Sequence, residues 1–136
     1  MMMWKATSRD QIKEFQFIRP SEKRGYLLFC DELEDDDTVC FHGTAEANLD
    51  FILRDGFKPK PPLTSVSFAR KSRETIAFAS TPRGRPPRAG CVLIVRFERL
   101  DLPGIKVNPT DVWVFNPQLL PAIEGYCIVP ADYEYV

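Results

Sequence analysis

One stretch of the chain, residues 38–57, combines residue types that could bind and orient a small polar ligand. A short apolar run is followed by His42, the only histidine in the protein, and then directly by Gly43 and Thr44. Because glycine has no Cβ, a ligand can approach its backbone closely. An imidazole, an open backbone and a hydroxyl in consecutive residues therefore predict a binding site for a small polar ligand.

The elements that position this site can be predicted from the same stretch. Residues 39–41 are apolar and suit a buried strand, so His42 is expected at the end of a strand. Residues 48–53 follow with helical spacing, and Gly56 stands where a helix should stop. The stretch is thus predicted to form a strand, a tight polar corner and a helix of about three turns.

The same residues resemble the start of the ADP-ribosyltransferase fold, in its poly(ADP-ribose)-polymerase-like or diphtheria-toxin-like branch. The resemblance lies in the pattern HGT, in Asn48, and in I-L-x-x-G-F over residues 52–57. A second segment, residues 66–79, is similar to the family segment that contains Phe-Ala, here at 68–69. A third begins at Asp111 and resembles the strand that starts with the family's catalytic glutamate. The three segments have the order and spacing of the family.

Within the second segment, three further positions correspond to family residues. Ser67 stands where the family usually has a tyrosine, Thr75 stands at the usual serine, and Phe78 stands at a second aromatic ring. The resemblance therefore implies an α+β fold with a split antiparallel β-sheet core and a few short helices.

The resemblance also implies cleavage of the nicotinamide–ribose bond of NAD through an oxocarbenium-like state. A carboxylate would stabilise that cation and hold a ribose hydroxyl, and a histidine would bind the ribose on the adenosine side. The Gly43 backbone would pair with the nicotinamide carboxamide, with Thr75 as a second donor, and Phe78 would stack on the ring. The implied residues are Asp111 and His42 for catalysis, and His42, Gly43, Thr44, Ser67, Thr75 and Phe78 for binding NAD as co-substrate, without a metal.

Two residues depart from the family pattern. Ser67 supplies no ring, which removes one wall from around the nicotinamide. Asp111 is one methylene shorter than glutamate, and a displacement of about 1 Å can cost on the order of a hundredfold in rate. We therefore expect mono-ADP-ribosylation of a protein or nucleic-acid acceptor, as in small effectors, toxins or phage modifiers, rather than polymer synthesis. Glu98, Glu124 and Asp132 are the alternative acids if the third segment is misaligned.

Two other functions fit the same pattern. An RNA 2′-phosphotransferase-like enzyme also uses HGT and NAD but needs arginines around the nucleotide, and Arg83, Arg85 and Arg88 lie in a Pro- and Gly-rich segment, residues 81–90. An inactive member of the fold would bind ADP-ribose, NAD or a protein partner instead.

Composition favours one soluble domain over residues 1–136. The net charge of −1 gives no general attraction to nucleic acid, and no apolar run is long enough to cross a membrane. The four cysteines form no C-x-x-C pair, so we expect free thiols, three of them buried in strands. We expect a monomeric cytoplasmic protein, or one delivered into the cytoplasm of a target cell, without a membrane partner.

The remaining elements are predicted from apolar patterning and turn residues. Residues 1–37 are an N-terminal extension, with a short helix capped by Ser8, a strand over 25–30 and a solvated acidic loop over 31–37. Residues 58–62 are an extended linker along the cleft, and residues 101–109 are a turn. Further strands are predicted at 65–69, 91–97, 111–115 and 125–129, with the second of these central in the sheet, and a helix capped by Ser72 at 73–79.

Overall fold

The computed structural model describes residues 4–80 and 88–133. The strands are β1 (Lys13–Phe15), β2 (Val39–Ala45), β3 (Val66–Ala69), β4 (Gly90–Arg96), β5 (Ile105–Val107), β6 (Asp111–Val114) and β7 (Ala122–Val129). The α-helices are α1 (Asp31–Glu34), α2 (Leu49–Asp55) and α3 (Ile76–Ser80), and 3₁₀ turns span Arg9–Gln11, Glu22–Arg24, Glu46–Asn48, Ser72–Thr75 and Pro117–Leu119. Within the described ranges, none of these helices combines the length and apolar character that a membrane crossing requires.

The seven strands found in the described residues belong to one sheet, in the order β1-β7-β4-β2-β3-β6-β5. Every neighbouring pair is antiparallel except β1 and β7, which are parallel. The predicted α+β class is confirmed, and the sheet is mixed rather than antiparallel throughout. The sheet is mixed because residues 13–15 of the N-terminal extension run beside β7 in the same direction.

The interior strand β4 separates two apolar clusters, as predicted for residues 91–97. Successive side chains of a strand point to opposite faces of a sheet. One face therefore packs against α2 and the other packs against α3 and the segment 28–29. The buried residues of these elements are Cys91, Leu93, Val95, Leu49 and Leu53 on the first face, and Val92, Ile94, Ile76, Ala79, Leu28 and Phe29 on the second.

The N-terminal extension differs from its prediction in two places. The expected helix is only the 3₁₀ turn Arg9–Gln11 after Ser8, because the following residues pair with β7 as β1. The expected strand over 25–30 is absent from the structure, since Gly25 and Tyr26 both have positive φ angles, of 64° and 61°, and turn the chain. Leu28 and Phe29 are buried all the same, by packing without strand pairing.

The acidic run over residues 31–37 is not a fully solvated loop, so that prediction is wrong. Its first part forms α1, and Glu34 is only 1% exposed. The Glu34 carboxylate accepts hydrogen bonds from the Phe29 N–H (3.2 Å), from the Ser72 N–H (3.1 Å) and from the Ser72 hydroxyl. Ser72 Oγ in turn accepts the Leu28 N–H at 2.8 Å. A buried carboxylate thus joins the N-terminal segment to the 3₁₀ turn that leads into α3.

Several other elements begin or end at residues that differ from the prediction. The strand β2 continues through His42 to Ala45, where a tight corner was predicted, and β5 occupies part of the predicted turn over 101–109. Ser72 is inside its 3₁₀ turn, with Lys71 as the N-cap, because the Ser72 hydroxyl serves Glu34 instead of capping. The linker over 58–62 has neither helix nor strand, as predicted.

The predicted free thiols are confirmed. All four cysteines are free, with Cys40, Cys91 and Cys127 buried and Cys30 exposed. Burial raises the pKa of Cys40, Cys91 and Cys127 to about 12, so these side chains act as small apolar groups at neutral pH.

We predict that Glu34→Ala lowers the free energy of unfolding by about 2–4 kcal/mol, because buried donors lose their acceptor. Urea denaturation followed by circular dichroism measures the change. Glu32→Ala is the matched control, since Glu32 is an exposed carboxylate on the same helical turn. Equal unfolding midpoints for the two variants would contradict the importance given to Glu34.

Candidate functional site

The sheet opens between β2 and β3. The strand β2 pairs with β4 along its whole length, from Val39 to Ala45, but with β3 only through Phe41 and Ala69. Beyond that pair the two strands separate, and a cleft of about 360 Å³ lies at the opening. This volume falls within the range of about 300–1,000 Å³ found for small-molecule sites.

The cleft brings together most of the residues that the resemblance singled out. It is lined by Phe41, His42, Gly43, Ser67, Phe68, Ala69, Glu74, Thr75, Phe78, Thr110 and Asp111. Thr44 is not among them, and its hydroxyl oxygen accepts the Asn48 side-chain N–H at 2.9 Å. The linker over 58–62 does not line the cleft either, contrary to its prediction.

His42 spans the opening between the two strands. Its ring packs against Phe57 and Phe68, with centroid distances of 5.2 and 5.7 Å, and its Nδ1 is 3.1 Å from the Ser67 carbonyl oxygen. A carbonyl oxygen can only accept, so Nδ1 carries the hydrogen and Nε2 of the neutral ring is an acceptor. Burial lowers the pKa of His42, and the bond to Ser67 only partly opposes that effect. The ring is therefore neutral at neutral pH and offers Nε2 to a hydroxyl donor.

Gly43 directs its backbone into the opening. Ser67 offers its carbonyl toward β2, and backbone groups two residues apart in a strand face the same side. The backbone N–H and C=O of Ala69 therefore point toward β2, and those of its partner Phe41 point toward β3. The backbone groups of Gly43, two residues after Phe41, point toward β3 as well. No β3 residue pairs with Gly43, so its N–H and C=O are directed toward the cleft.

The reason for a glycine at position 43 differs from the one expected. A Cβ on Gly43 would lie 2.5 Å from the Thr75 carbonyl oxygen and 2.9 Å from Thr75 Cβ. Contacts below 3.0 Å are essentially never seen for a real Cβ. Gly43 is thus required by the close approach of the 3₁₀ turn Ser72–Thr75 to β2, before any ligand is considered.

The 3₁₀ turn and α3 cover one side of the cleft. Thr75 is 2% exposed, and its hydroxyl donates to the Ser72 carbonyl oxygen at 2.6 Å. That hydrogen is therefore not directed to a ligand, which removes the donor role that the resemblance implied for Thr75. Ile76 and Ala79 are buried, whereas Phe78 is 62% exposed and lines the cleft. Phe78 is placed to contact a ligand ring.

Asp111 lies at the start of β6, opposite Ala69 of β3. The indole Nε1–H of Trp113 donates to Asp111 Oδ2 at 2.8 Å, and this bond holds the carboxylate at the edge of the cleft. The alternative acids Glu98, Glu124 and Asp132 do not line the cleft, and Glu124 pairs with Arg96 instead.

Glu74 is a second acid of the cleft that sequence reasoning missed. It is exposed, it lines the cleft beside Thr75, and its carboxylate is 3.9 Å from Arg73 Nε. Its place immediately before Thr75 was the only sequence signal that could have drawn attention to it. Two carboxylates, Asp111 and Glu74, are therefore available at one cleft.

The basic residues near the cleft are partly matched by acids. Glu74 and Thr110 also line a smaller neighbouring cleft of about 210 Å³. It contains Arg70, Lys71 and Arg73, whose nearest acids are 4.0, 3.5 and 3.9 Å away. Arg83 and Arg85 lie outside the described residues, and Arg88 is exposed and does not line either cleft. Over residues 4–80 and 88–133, no group of three or more His, Cys, Asp or Glu side chains could hold a metal ion.

Comparison with protein-family models, with curated proteins and with solved structures found no match to this chain. The function is therefore inferred from the cleft and from the residues that line it.

We predict that the stability of the protein falls as the pH drops below about 6.5. The unfolded chain then binds a proton at its one histidine, whereas the folded chain resists protonation because the pKa of His42 is lowered. The loss of stability continues until the pH reaches the lowered pKa of His42 in the folded protein, and then it stops. Urea midpoints at about pH 7.5 and pH 5.5 measure it, and His42→Gln should reduce the difference between them. An equal pH dependence in the two proteins would contradict the burial of a neutral ring.

Proposed function

We propose that this chain is an NAD-dependent mono-ADP-ribosyltransferase with the split-sheet fold of that family. The observation that carries the proposal is the convergence of His42, Gly43, Ser67, Thr75, Phe78 and Asp111 on one cleft. These residues belong to β2, β3, β6, the 3₁₀ turn Ser72–Thr75 and α3. The pattern of residues in the sequence had already identified them as candidates. The separation of β2 from β3 at the cleft supports the same fold.

The chemistry of the cleft fits the bond that such an enzyme breaks. When the bond between nicotinamide and ribose breaks, its electron pair leaves with the nicotinamide, which departs neutral and needs no acid. Positive charge then develops on the ribose, and the Asp111 carboxylate stabilises it. The acceptor's nucleophilic atom forms the new bond to that carbon and releases its proton to water or to a nearby base. Glu74 is the other carboxylate of the cleft available for that proton.

The binding groups suit the two ends of NAD. Neutral His42 offers an acceptor to a ribose hydroxyl, and the Gly43 backbone offers one donor and one acceptor to a carboxamide. Phe78 supplies an exposed ring for stacking on the nicotinamide. The shorter Asp111 side chain favours a single transfer over chain elongation, as in the sequence-based expectation.

The RNA 2′-phosphotransferase alternative receives less support. Such an enzyme needs arginines around the nucleotide, and no arginine lines the main cleft among the described residues. Arg70 and Arg73 belong to the neighbouring cleft and lie near acids.

The acceptor of the proposed transferase is a protein or a nucleic acid, and the chain acts on it without a membrane partner.

We predict that the purified protein releases nicotinamide from NAD, and that Asp111→Asn and His42→Ala each reduce the rate by about a hundredfold or more. Asp111→Asn removes the charge that stabilises the ribose cation, and His42→Ala removes both a ligand contact and the bond to Ser67. Release is followed by chromatography, with and without cell extract as acceptor.

Asp101→Asn is the matched control, because Asp101 is an exposed carboxylate paired with Arg99 and does not line the cleft. It should keep the wild-type rate. Glu74→Gln separates the two cleft acids: a loss in Glu74→Gln with none in Asp111→Asn would transfer the catalytic role to Glu74. No release by the wild type under any condition would leave an NAD-binding or ADP-ribose-binding module, and 2′-phosphorylated RNA would then be tried as a substrate.

A further inference from the structure

We propose that the smaller cleft beside the main one binds an anionic side chain of a protein acceptor. The inference rests on the proposed function, because it names the class of molecule that receives ADP-ribose. The smaller cleft holds the acceptor next to the main cleft and takes no part in the bonds that break and form.

The two clefts follow one another along the same three strands. Phe41, Ala69 and Asp111 lie directly opposite one another across β2, β3 and β6, and this row belongs to the main cleft. Because neighbouring strands are antiparallel here, the start of β2, the end of β3 and the start of β6 all lie on one side of the row. The smaller cleft continues on that side, where it is lined by Val39, Arg70, Pro109 and Thr110.

The smaller cleft lies on the side of Asp111 from which an acceptor must arrive. His42 follows Phe41 in β2, so it lies on the other side of the row. In the proposed reaction, His42 binds the ribose on the adenosine side, and Asp111 faces the ribose that reacts. The rest of NAD therefore occupies the His42 side, and the acceptor approaches past Asp111. Glu74 and Thr110 line both clefts and mark the junction between them.

Three cations of the smaller cleft have only loose contacts with carboxylates. The nearest carboxylate oxygens are 4.0 Å from Arg70, 3.5 Å from Lys71 and 3.9 Å from Arg73, longer than a hydrogen bond of about 2.7–3.2 Å. Among the described residues, every other arginine that forms an ion pair has a carboxylate oxygen at 2.6–2.9 Å; these are Arg9, Arg54, Arg96 and Arg99. The smaller cleft therefore gathers three cations whose charge no close carboxylate matches.

Backbone carbonyl oxygens hold these three side chains in place. Arg70 Nη1 donates to the Asn108 carbonyl oxygen at 3.4 Å, and Arg73 Nη1 donates to the Gly25 carbonyl oxygen at 3.3 Å. The Lys71 ammonium donates to a third carbonyl oxygen. A carbonyl group has no net charge, so it orients a cation and leaves its positive charge uncompensated. A guanidinium has five N–H donors, and most of those on the two arginines stay available to an anionic ligand.

The carboxylates of the smaller cleft do not balance these cations. Glu34 is buried and accepts three hydrogen bonds, and Asp36 is paired with Arg96 at 2.7 Å. That leaves Asp37, whose side chain is 93% exposed, and Glu74. Three cations thus face two carboxylates, and an added anionic group is attracted to the cleft.

The acidic residues beside the smaller cleft favour a protein over a nucleic acid. Six of the seven residues 31–37 are acidic, and Asp36 and Asp37 line the cleft. A nucleic-acid strand has a phosphate on every nucleotide, so this run would repel the phosphates next to a bound one. A peptide with one acidic or phosphorylated residue between lysines places its anion at the cations and its positive charges at the acidic run.

The test is the dissociation constant of a fluorescein-labelled peptide with one glutamate between lysines, measured by fluorescence anisotropy. We predict that replacing the glutamate by glutamine raises this constant about tenfold for the wild type, since a charge-assisted contact is lost. The double variant Arg70→Gln, Arg73→Gln should bind both peptides as weakly as the wild type binds the glutamine peptide. A phosphoserine peptide of the same sequence distinguishes the two sources of negative charge: tighter binding identifies a phosphate, and weaker binding identifies a carboxylate.

Arg99→Gln is the matched control, because Arg99 is an arginine paired with Asp101 that lines neither cleft. It should keep the tenfold difference between the two peptides. Equal affinity of the wild type for the glutamate and glutamine peptides overturns the inference, and this comparison needs no variant to fold. Tighter binding of a thymidine oligonucleotide than of any of the peptides, lost in the double variant, overturns it in favour of a nucleic acid.

The outcomes separate this inference from the proposed function. Nicotinamide release by the wild type, without a preference for the charged peptide, overturns the role of the smaller cleft and leaves the transferase in place. A preference for the charged peptide without nicotinamide release leaves a site for anionic peptides and overturns the transferase.

Discussion

The site depends on the point at which β2 stops pairing with β3. One pair, Phe41 with Ala69, joins the strands, and beyond it the sheet is open. An open edge inside a sheet leaves backbone polar groups without partners, which costs free energy when they are buried. The His42 ring compensates part of that cost, because Nδ1–H donates to the Ser67 carbonyl oxygen across the gap. The residue whose side chain bridges the strands is also one of the residues that line the cleft.

The segment that covers the cleft is held by close packing on two strands and by one buried carboxylate. The segment from Ser72 through α3 lies against β2 and β4 at two glycines, and a Cβ at Gly90 would lie 1.6 Å from the Ala79 carbonyl oxygen. The buried Glu34 carboxylate holds the start of this segment to the N-terminal part of the chain. The position of Phe78 at the cleft is therefore set by the packing of its segment on Gly43 and Gly90 and by the bonds from Ser72 to the Glu34 carboxylate.

The polar groups of the cleft are few and are oriented by their neighbours. His42 is kept neutral by burial between aromatic rings, and Asp111 is held by the Trp113 indole. Such fixed groups suit a reaction in which charge develops at one ribose carbon, since no rearrangement is needed as the charge forms. The indole N–H of Trp113 thereby orients the acid.

The sequence by itself determined the central elements and most of the candidate residues. Apolar runs predicted β4 and the core of β2, because strands buried on both faces must be apolar throughout. The strand β6 was predicted from its short apolar and aromatic run, although only its valines are buried. It could not determine β1, β5 or the burial of Glu34. A three-residue strand has no pattern of its own and exists only because a partner strand lies beside it, and an acidic run looks solvated until buried donors are brought to it. The tertiary structure alone decided that Gly43 is required by the packing of the 3₁₀ turn Ser72–Thr75 on β2, and that Trp113 stands opposite Ser67. Both are contacts between residues far apart in the chain, and spacing along the sequence carries no information about them. The bond from the Thr75 hydroxyl to the Ser72 carbonyl oxygen is local, but it depends on the turn that this packing fixes.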